Sequence, residues 1–406
     1  MARSSALRRL RSVLFDARAH EPLVDASWSP AAIEAEIRTI AREADDALRD
    51  RDWWPVHPLD ADGPTPDAIH GIYFGAAGVV WALDHLARAG LHEPRHDYAR
   101  LALDVLDSYL ARPEFDGPLP SLWMGEGGIA LVAWLLAPAP AVADRLAKAV
   151  VVDPDGDTLE LMWGSPGQLL IADAMLERTG EQRWAAAWSA IADHLMRQWG
   201  AHVPDVWTQR LYGSIREYLG PAHGFAGIVA ALARRPDRLD HGRLVPGTTA
   251  ALAASVVREG AQANWPPLYG GPLDDAKGVV RTQWCHGAPG IVASTAALPP
   301  DDELDVLLLA GGELTWAAGP LRKGANLCHG TAGNGFALLK LFARTGDEAW
   351  LERARRFAMH AAAQVAVDRR QYGRGRFSLW TGDVGTAVYL QRCLAGTSEV
   401  PGIDTW

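Results

Sequence analysis

The chain has 406 residues, of which 49% are hydrophobic and 22% charged, a composition typical of a soluble globular protein with one large domain or two to three small ones. Its 39 basic and 49 acidic residues give a net charge of −10. This balance argues against nucleic-acid binding, because phosphate recognition requires clustered basic surface. The three cysteines, an odd number in a long chain, argue against a disulfide framework and indicate a reducing, cytoplasmic location.

We expect no secretory signal peptide at residues 1–19 and one helix within the first 70 residues. Five arginines lie among residues 1–19 without the apolar core of a secretory signal peptide. A helix is predicted over residues 30–48, followed by a loop to Pro66. Further along, the uncharged stretch 127–143 is broken by two prolines and is shorter than the about 20 apolar residues that cross a membrane, so no transmembrane segment is predicted.

A Gly-x-x-Gly pattern occurs seven times along the rest of the chain, at a mean spacing of about 51 residues. The first glycines of the seven pairs are Gly75, Gly125, Gly164, Gly224, Gly287, Gly330 and Gly382. This spacing accommodates two helices and their loops, so each copy predicts a helical hairpin.

The helices predicted after and between the glycine pairs differ in character. Almost wholly apolar segments such as residues 129–136 follow the pairs and predict helices buried on all sides. Amphipathic segments lie between the pairs, as where Trp184, Trp188 and Leu195 recur at helical spacing. Seven such hairpins predict an all-α fold with little strand, closed into an α/α toroid. We expect residues 1–406 to form one domain of this kind, with residues 1–70 completing the outer ring.

Two of the three cysteines lie in one repeated phrase, WCHGAPG at residues 284–290 and LCHGTAG at residues 327–333. The thiolates of Cys285 and Cys328 and the imidazole of His329 form a soft ligand set that suits one zinc ion, with a fourth position left for water or substrate. If the glycine pairs begin the inner helices, both cysteines lie at helix N-termini, where partial positive charge favours thiolate. The simpler alternative is that both cysteines are small buried apolar residues.

The glycine pairs, both Cys-His-Gly phrases and the sequence HGFAG at residues 223–227 resemble the lanthionine synthetase C-like proteins, which comprise the lanthipeptide cyclases and stand-alone relatives. The resemblance covers residues 70–394 and implies a toroid of seven inner and seven outer helices, with zinc at one end held by Cys285, Cys328 and His329. It also implies addition of a cysteine thiol to dehydroalanine or dehydrobutyrine, giving a thioether. His286 stands where several cyclases have tyrosine, which favours the stand-alone branch.

The resemblance implies a catalytic role for His223, as the acid/base that carries the proton between thiol and enolate. Glu160, four residues before Gly164, matches an acidic position whose expected work is to orient His223 or share its proton, and Asp157 competes for that assignment. His286, directly after Cys285, is a further catalytic candidate. Simpler alternatives are a capping or packing histidine and an exposed carboxylate.

Two cations are candidates for substrate binding. Lys323, five residues before Cys328, matches a basic residue that glutathione-using members place near the zinc, and Arg376 is a weaker candidate. Either would hold a free carboxylate of glutathione, although both are equally compatible with solvated surface charge. The glycine- and proline-rich segment 260–278 leads to Cys285 and is predicted to cover the entrance.

Three functions remain open at this stage. The first is zinc-dependent thiol addition to a dehydrated peptide or protein that another enzyme supplies, with a precursor-peptide cysteine or glutathione as the thiol. The second is a toroidal glycoside hydrolase, which needs two carboxylates facing across a cleft and leaves the Cys-His-Gly phrases unexplained. The third is a peptide-binding toroid with structural zinc, for which His286 is the one obvious spare ligand.

Overall fold

The computed structural model describes residues 13–406 except 51, 62–67, 116, 118, 152–157, 236, 237, 239 and 240. Fourteen α-helices lie in this described part: α1 (Pro30–Asp46), α2 (Ala76–Arg88), α3 (Tyr98–Ala111), α4 (Glu126–Leu136), α5 (Pro140–Ala149), α6 (Ser165–Thr179), α7 (Gln182–Gln198), α8 (Phe225–Leu232), α9 (His241–Ser255), α10 (Ala288–Thr295), α11 (Asp302–Ala318), α12 (Thr331–Thr345), α13 (Glu348–Tyr372) and α14 (Asp383–Ala395). Two short 3₁₀ helices cover Ala17–Ala19 and Pro58–Asp60.

Every even-numbered helix begins directly after the first glycine of a Gly-x-x-Gly pair, which is its N-cap. The second glycine of each pair lies against the carbonyl of the residue six positions earlier. A β-carbon at Gly128, for example, would lie 1.7 Å from the oxygen of Leu122, and one at Gly385 would lie 1.7 Å from that of Leu379. The pairs are therefore glycine chiefly because the chain folds back onto the first turn of the helix.

The even-numbered helices form a closed inner ring. Each packs against the next in the series, and α14 packs against α2, which completes the circle. The odd-numbered helices lie outside and bury one face, as α7 does with Trp184, Trp188 and Leu195, while Arg183 is exposed. The apolar inner and amphipathic outer segments thus confirm the predicted α/α toroid.

Strand content is small, as predicted. Within the described residues the strands are β1 (Gln209–Leu211), β2 (Ser214–Arg216), β3 (Val257–Glu259) and β4 (Gln262–Asn264), which form two separate antiparallel hairpins. The β1–β2 hairpin precedes α8 and the β3–β4 hairpin precedes α10, so both lie at the end of the ring where inner helices begin. None of the helices in the described ranges is long and apolar enough to cross a membrane.

Candidate active site

A cavity of about 830 Å³ lies at the end of the ring where α10 and α12 begin. Its lining includes Cys285, His286, Lys323 and His329, which the sequence analysis singled out. Residues from the segment 267–276 also line it. The structure therefore places part of the predicted covering segment along the wall of the cavity that contains the candidate ligands.

The thiols of Cys285 and Cys328 lie within hydrogen-bonding contact of each other, and no disulfide joins them. Their loops are adjacent because α10 and α12 are neighbours in the inner ring, and the Cys285 amide donates to the Cys328 carbonyl at 3.0 Å. Both side chains are buried. The repeated phrase thus brings two sulfur atoms together from positions 43 residues apart in the sequence.

The environments of the two thiols differ. The pKa of Cys285 is lowered to about 7, first by its hydrogen bond with Cys328, and further by the Gln283 amide and the charge of Lys323, against the opposing effect of burial. The pKa of Cys328 is raised well above its ordinary value, because the neighbouring Cys285 sulfur and burial both disfavour a second thiolate. One thiolate at Cys285 is therefore the favoured ionised form of the pair.

The donor chemistry of these residues fits zinc, since Cys285 and His329 line one cavity and the sulfur of Cys285 contacts that of Cys328. His329 is half-buried, and its pKa is lowered to about 4, first by burial and then by Lys323, which keeps the ring neutral as a ligand must be. No group of three or more His, Cys, Asp or Glu side chains in the described part of the chain is arranged to hold a metal ion. The three-ligand zinc site therefore stays a prediction.

His223 and Glu160 lie together, with Nδ1 of the imidazole 2.9 Å from Oε2 of the carboxylate. Glu160 is fully buried, and its oxygens also accept the backbone N–H groups of Met162 and Trp163. Because an ionised carboxylate can only accept, Nδ1 carries the proton, and Nε2 is the atom left for proton transfer. The charge of a protonated His223 lowers the pKa of both Cys285 and His286, so the imidazole lies near these two residues.

The remaining candidates occupy different surroundings. His286 lines the cavity, and its buried Nδ1 has no hydrogen-bond partner among the described residues. Its pKa is lowered to about 4 by burial first and by the charge of His223 second. Lys323 lines the cavity as predicted for a substrate-binding cation, and its Nζ lies 3.3 Å from Oε1 of Gln283. Asp157, the alternative to Glu160, lies outside the described residues.

Arg376 is not among the residues that line this cavity in the described structure. Its guanidinium pairs with the carboxylate of Asp60, with Nε 2.7 Å from Oδ2, and only 11% of either side chain is exposed. A guanidinium held in this way stabilises the packing of the loop around Asp60 and has little capacity left for a ligand carboxylate. The structure thus separates the two predicted substrate-binding cations.

Two residues at the site were missed by sequence reasoning. Gln283 donates from Nε2 to the sulfur of Cys285 at 2.9 Å, while its Oε1 accepts from Lys323. Tyr73 hydrogen-bonds the sulfur of Cys328. A signal for Tyr73 was present, because it stands two residues before Gly75, the same position that each cysteine has before its own glycine.

The sequence model of the family described as "Lanthionine synthetase C-like protein" matches residues 159–405, which is more than half of the 406 residues. The chain belongs to the lanthionine synthetase C-like family. The matched region of this LanC-like protein contains all eight predicted site residues: Glu160, His223, Cys285, His286, Lys323, Cys328, His329 and Arg376.

Individual relatives agree with this assignment. LanC-like protein GCL1 of Arabidopsis thaliana is 31% identical over 203 residues, which are 48% of this chain and 45% of GCL1. Glutathione S-transferase LANCL1 of Danio rerio is 31% identical over 192 residues, 43% of this chain and 42% of LANCL1. The matched part of the LanC-like chain therefore spans less than half the length of either relative.

The solved structure of nisin cyclase is similar to this LanC-like protein with a TM-score of 0.61, at 14% sequence identity. The similarity covers 90% of this chain and 95% of nisin cyclase. At this identity the comparison shows the fold alone. It extends the LanC-like toroid to helices that precede the region matched by the family model.

Proposed function

We propose that this LanC-like protein adds a cysteine thiol to dehydroalanine or dehydrobutyrine in a peptide or protein, forming a thioether, with one zinc ion held by Cys285, Cys328 and His329. The observation that carries the proposal is the contact between the two thiols, with His223 near Cys285 and its Nδ1 held by the buried carboxylate of Glu160. Family membership also supports thioether formation rather than glycoside hydrolysis, because glycoside hydrolysis gives no role to the two Cys-His-Gly phrases.

The proposed reaction needs a deprotonated thiol and a proton carrier. Zinc bound by the three ligands would supply the positive charge that lowers the pKa of an incoming thiol. His223 Nε2 accepts the proton that the thiol loses, the sulfur forms a bond to the β-carbon, and the π electrons of the double bond move toward the carbonyl as an enolate. His223 then returns the proton to the α-carbon, so that S–H is added across the double bond and no other reactant is consumed.

The roles of Glu160 follow from its contacts. Its buried carboxylate keeps the proton on Nδ1, which leaves Nε2 basic, and it stabilises the imidazolium that forms while His223 holds the thiol proton. Its two backbone N–H contacts fix the carboxylate itself, so the dyad is oriented before substrate arrives.

We propose glutathione as the thiol donor, because the cavity offers cations for its carboxylates. Arg281 is paired with Asp275, with Nε 2.8 Å from Oδ2, whereas Lys323 contacts only the neutral amide of Gln283 among the described residues. Partial burial and the nearby Arg281 lower the pKa of Lys323, and the negative charge of a bound carboxylate would oppose both effects. The name of the Danio rerio relative, glutathione S-transferase LANCL1, agrees with this choice.

The test is incubation of the zinc-loaded protein with a dehydroalanine peptide and glutathione, with products analysed by mass spectrometry. We expect a product heavier by one glutathione, and with a peptide that contains its own cysteine the same assay detects ring closure. His223→Ala should retain zinc and lose about 100-fold or more of the rate, the usual contribution of a general acid/base. If the zinc-loaded wild type yields neither product, the proposed function is wrong.

One observation favours a second candidate, a peptide-binding toroid with structural zinc. The buried Nδ1 of His286, without a partner among the described residues, directly follows Cys285 and would serve as a fourth ligand. A closed four-ligand site leaves no position for a thiol. Cobalt substitution distinguishes the two candidates, because the absorption spectrum of an open site changes when glutathione is added and that of a closed site does not.

A further inference from the structure

Three aromatic side chains form an exposed surface beside the candidate active site, which we call the aromatic ridge: Phe115, Trp163 and Tyr212. The Phe115 and Trp163 rings meet edge to face, with centroids 5.5 Å apart, and the Trp163 indole donates to the Tyr212 hydroxyl at 3.1 Å. The three come from separate segments, after α3, before α6 and between β1 and β2. None of them lines the cavity that Cys285 and His329 border.

Tyr212 is the most unusual member of the ridge. It lies at the turn of the β1–β2 hairpin with φ of 52°, a left-handed conformation that residues with a β-carbon rarely adopt, and the following Gly213 has φ of 72°. Its side chain is 70% exposed, so the ring adds little to the core. A disfavoured backbone conformation that presents a large exposed ring next to a catalytic candidate indicates a binding role.

The ridge is continuous with His223. The rings of Tyr212 and His223 meet edge to face with centroids 5.8 Å apart. On another side, Tyr218, which lines the cavity, has its ring centroid 6.4 Å from that of His223. The imidazole therefore lies next to the aromatic ridge and next to a residue of the cavity wall. The β1–β2 hairpin borders both surfaces, since Arg216 at the end of β2 also lines the cavity.

The two surfaces differ in the chemistry that they can bind. The cavity carries the cations Arg216, Arg281 and Lys323, which suit a small thiol with free carboxylates. The ridge consists of uncharged rings, which suit the planar double bond of a dehydroamino acid and the apolar side chains beside it. An addition reaction requires its two reactants in contact with each other and within reach of the proton carrier, and the ridge and the cavity-lining Tyr218 both lie next to His223.

We propose that the aromatic ridge binds the peptide segment that carries the dehydroamino acid, while the thiol occupies the cavity. The proposal rests on the proposed thioether-forming function and adds to it a division of the site between two substrates. Tyr212 and Trp163 position the peptide so that its double bond lies beside His223. Arg216 and Lys323, on the cavity side, contact the thiol donor and not the peptide.

The test measures peptide binding separately from reaction. A fluorescently labelled peptide with alanine in place of dehydroalanine is titrated with the full-length, zinc-loaded protein, and anisotropy gives its Kd. Tyr212→Asn removes the ring but retains a residue that tolerates the left-handed turn, and it should weaken peptide binding about tenfold, as loss of an aromatic anchor does. Tyr212→Phe retains the ring and should bind within about twofold of wild type.

Steady-state kinetics give a second readout. Tyr212→Asn should raise KM for the dehydroalanine peptide and leave KM for glutathione unchanged, and Lys323→Gln should do the reverse. If Tyr212→Asn binds and turns over the peptide like wild type while wild type forms the thioether, the ridge proposal is overturned and the proposed function stands. If zinc-loaded wild type forms no thioether, the proposed function fails, and the division of the site between two substrates fails with it.

Discussion

The two Cys-His-Gly phrases have the same central letters but different surroundings. Cys285 receives a hydrogen bond from Gln283 and lies near Lys323, and its pKa is lowered, whereas Cys328 is bonded by Tyr73 and its pKa is raised. The glycines that follow differ as well, since Gly287 has φ of 99° and Gly330 has φ of −122°. The repeated motif thus brings the two cysteines together, while residues from outside it determine the pKa of each thiol.

The strongest test of this comparison removes each sulfur. Cys285→Ala and Cys328→Ala should each lose the bound zinc and at least about 1,000-fold of the thioether-forming activity, because a metal held by three side chains does not survive the loss of a thiolate. Zinc is measured by atomic emission and product by mass spectrometry. Cys393→Ala is the matched control, since this third cysteine is buried at α14 beside Tyr389, with its pKa raised to about 12 by burial.

The second test replaces, one at a time, the histidine that follows each cysteine. His329→Ala should lose zinc, whereas His286→Ala should retain it and lose about 10-fold to 100-fold in turnover, as expected for a residue that assists proton transfer. The measurement pairs zinc content with kcat for each variant. Loss of zinc from His286→Ala would indicate that His286 is a fourth zinc ligand and would favour the peptide-binding toroid with structural zinc.

The third test concerns the two glycines. A β-carbon at Gly287 would lie 2.4 Å from the Arg281 carbonyl oxygen, and one at Gly330 would lie 2.4 Å from the Asn326 nitrogen, so both alanine variants should be destabilised. Gly287→Ala should cost about 1 to 3 kcal/mol more, because its φ of 99° and ψ of −168° lie in a region that only glycine occupies readily. Denaturant unfolding measures the difference.

A control glycine separates backbone strain from steric contact in that test. Gly346 has φ of 69° and open space where a β-carbon would lie, so Gly346→Ala should cost only about 1 kcal/mol from its left-handed conformation. Equal losses for Gly287→Ala and Gly330→Ala would show that the positive φ adds nothing and that the two phrases are equivalent in their backbones.

The fold was predictable because each glycine pair marks a local structure, in which the chain folds back onto the first turn of an inner helix. The meeting of Glu160 with His223 follows from the same regularity, since both precede glycine pairs of neighbouring inner helices, α6 and α8. Contacts between distant loops were not predictable. The pairing of Arg376 with Asp60 spans 316 residues, and no pattern along the sequence records which loop will lie opposite.

The smallest expected effect concerns the partners of the two sulfurs. Gln283→Met removes the N–H donor to Cys285 and the contact with Lys323, and Tyr73→Phe removes the hydroxyl donor to Cys328. Each should weaken zinc binding about tenfold, the lower end of what residues that orient metal ligands contribute. Competition with a chelator measures both affinities.

We expect Gln283→Met to have the larger effect of the two, because its amide holds the sulfur that ionises first and connects it to a cation, whereas Tyr73 remains packed by its ring against Trp380 when the hydroxyl is lost. A larger loss of zinc affinity in Tyr73→Phe would instead show that Cys328 depends more on its hydrogen-bond partner than Cys285 does. In that case the lower pKa of Cys285 would not make it the sulfur whose hydrogen-bond partner matters more for zinc affinity.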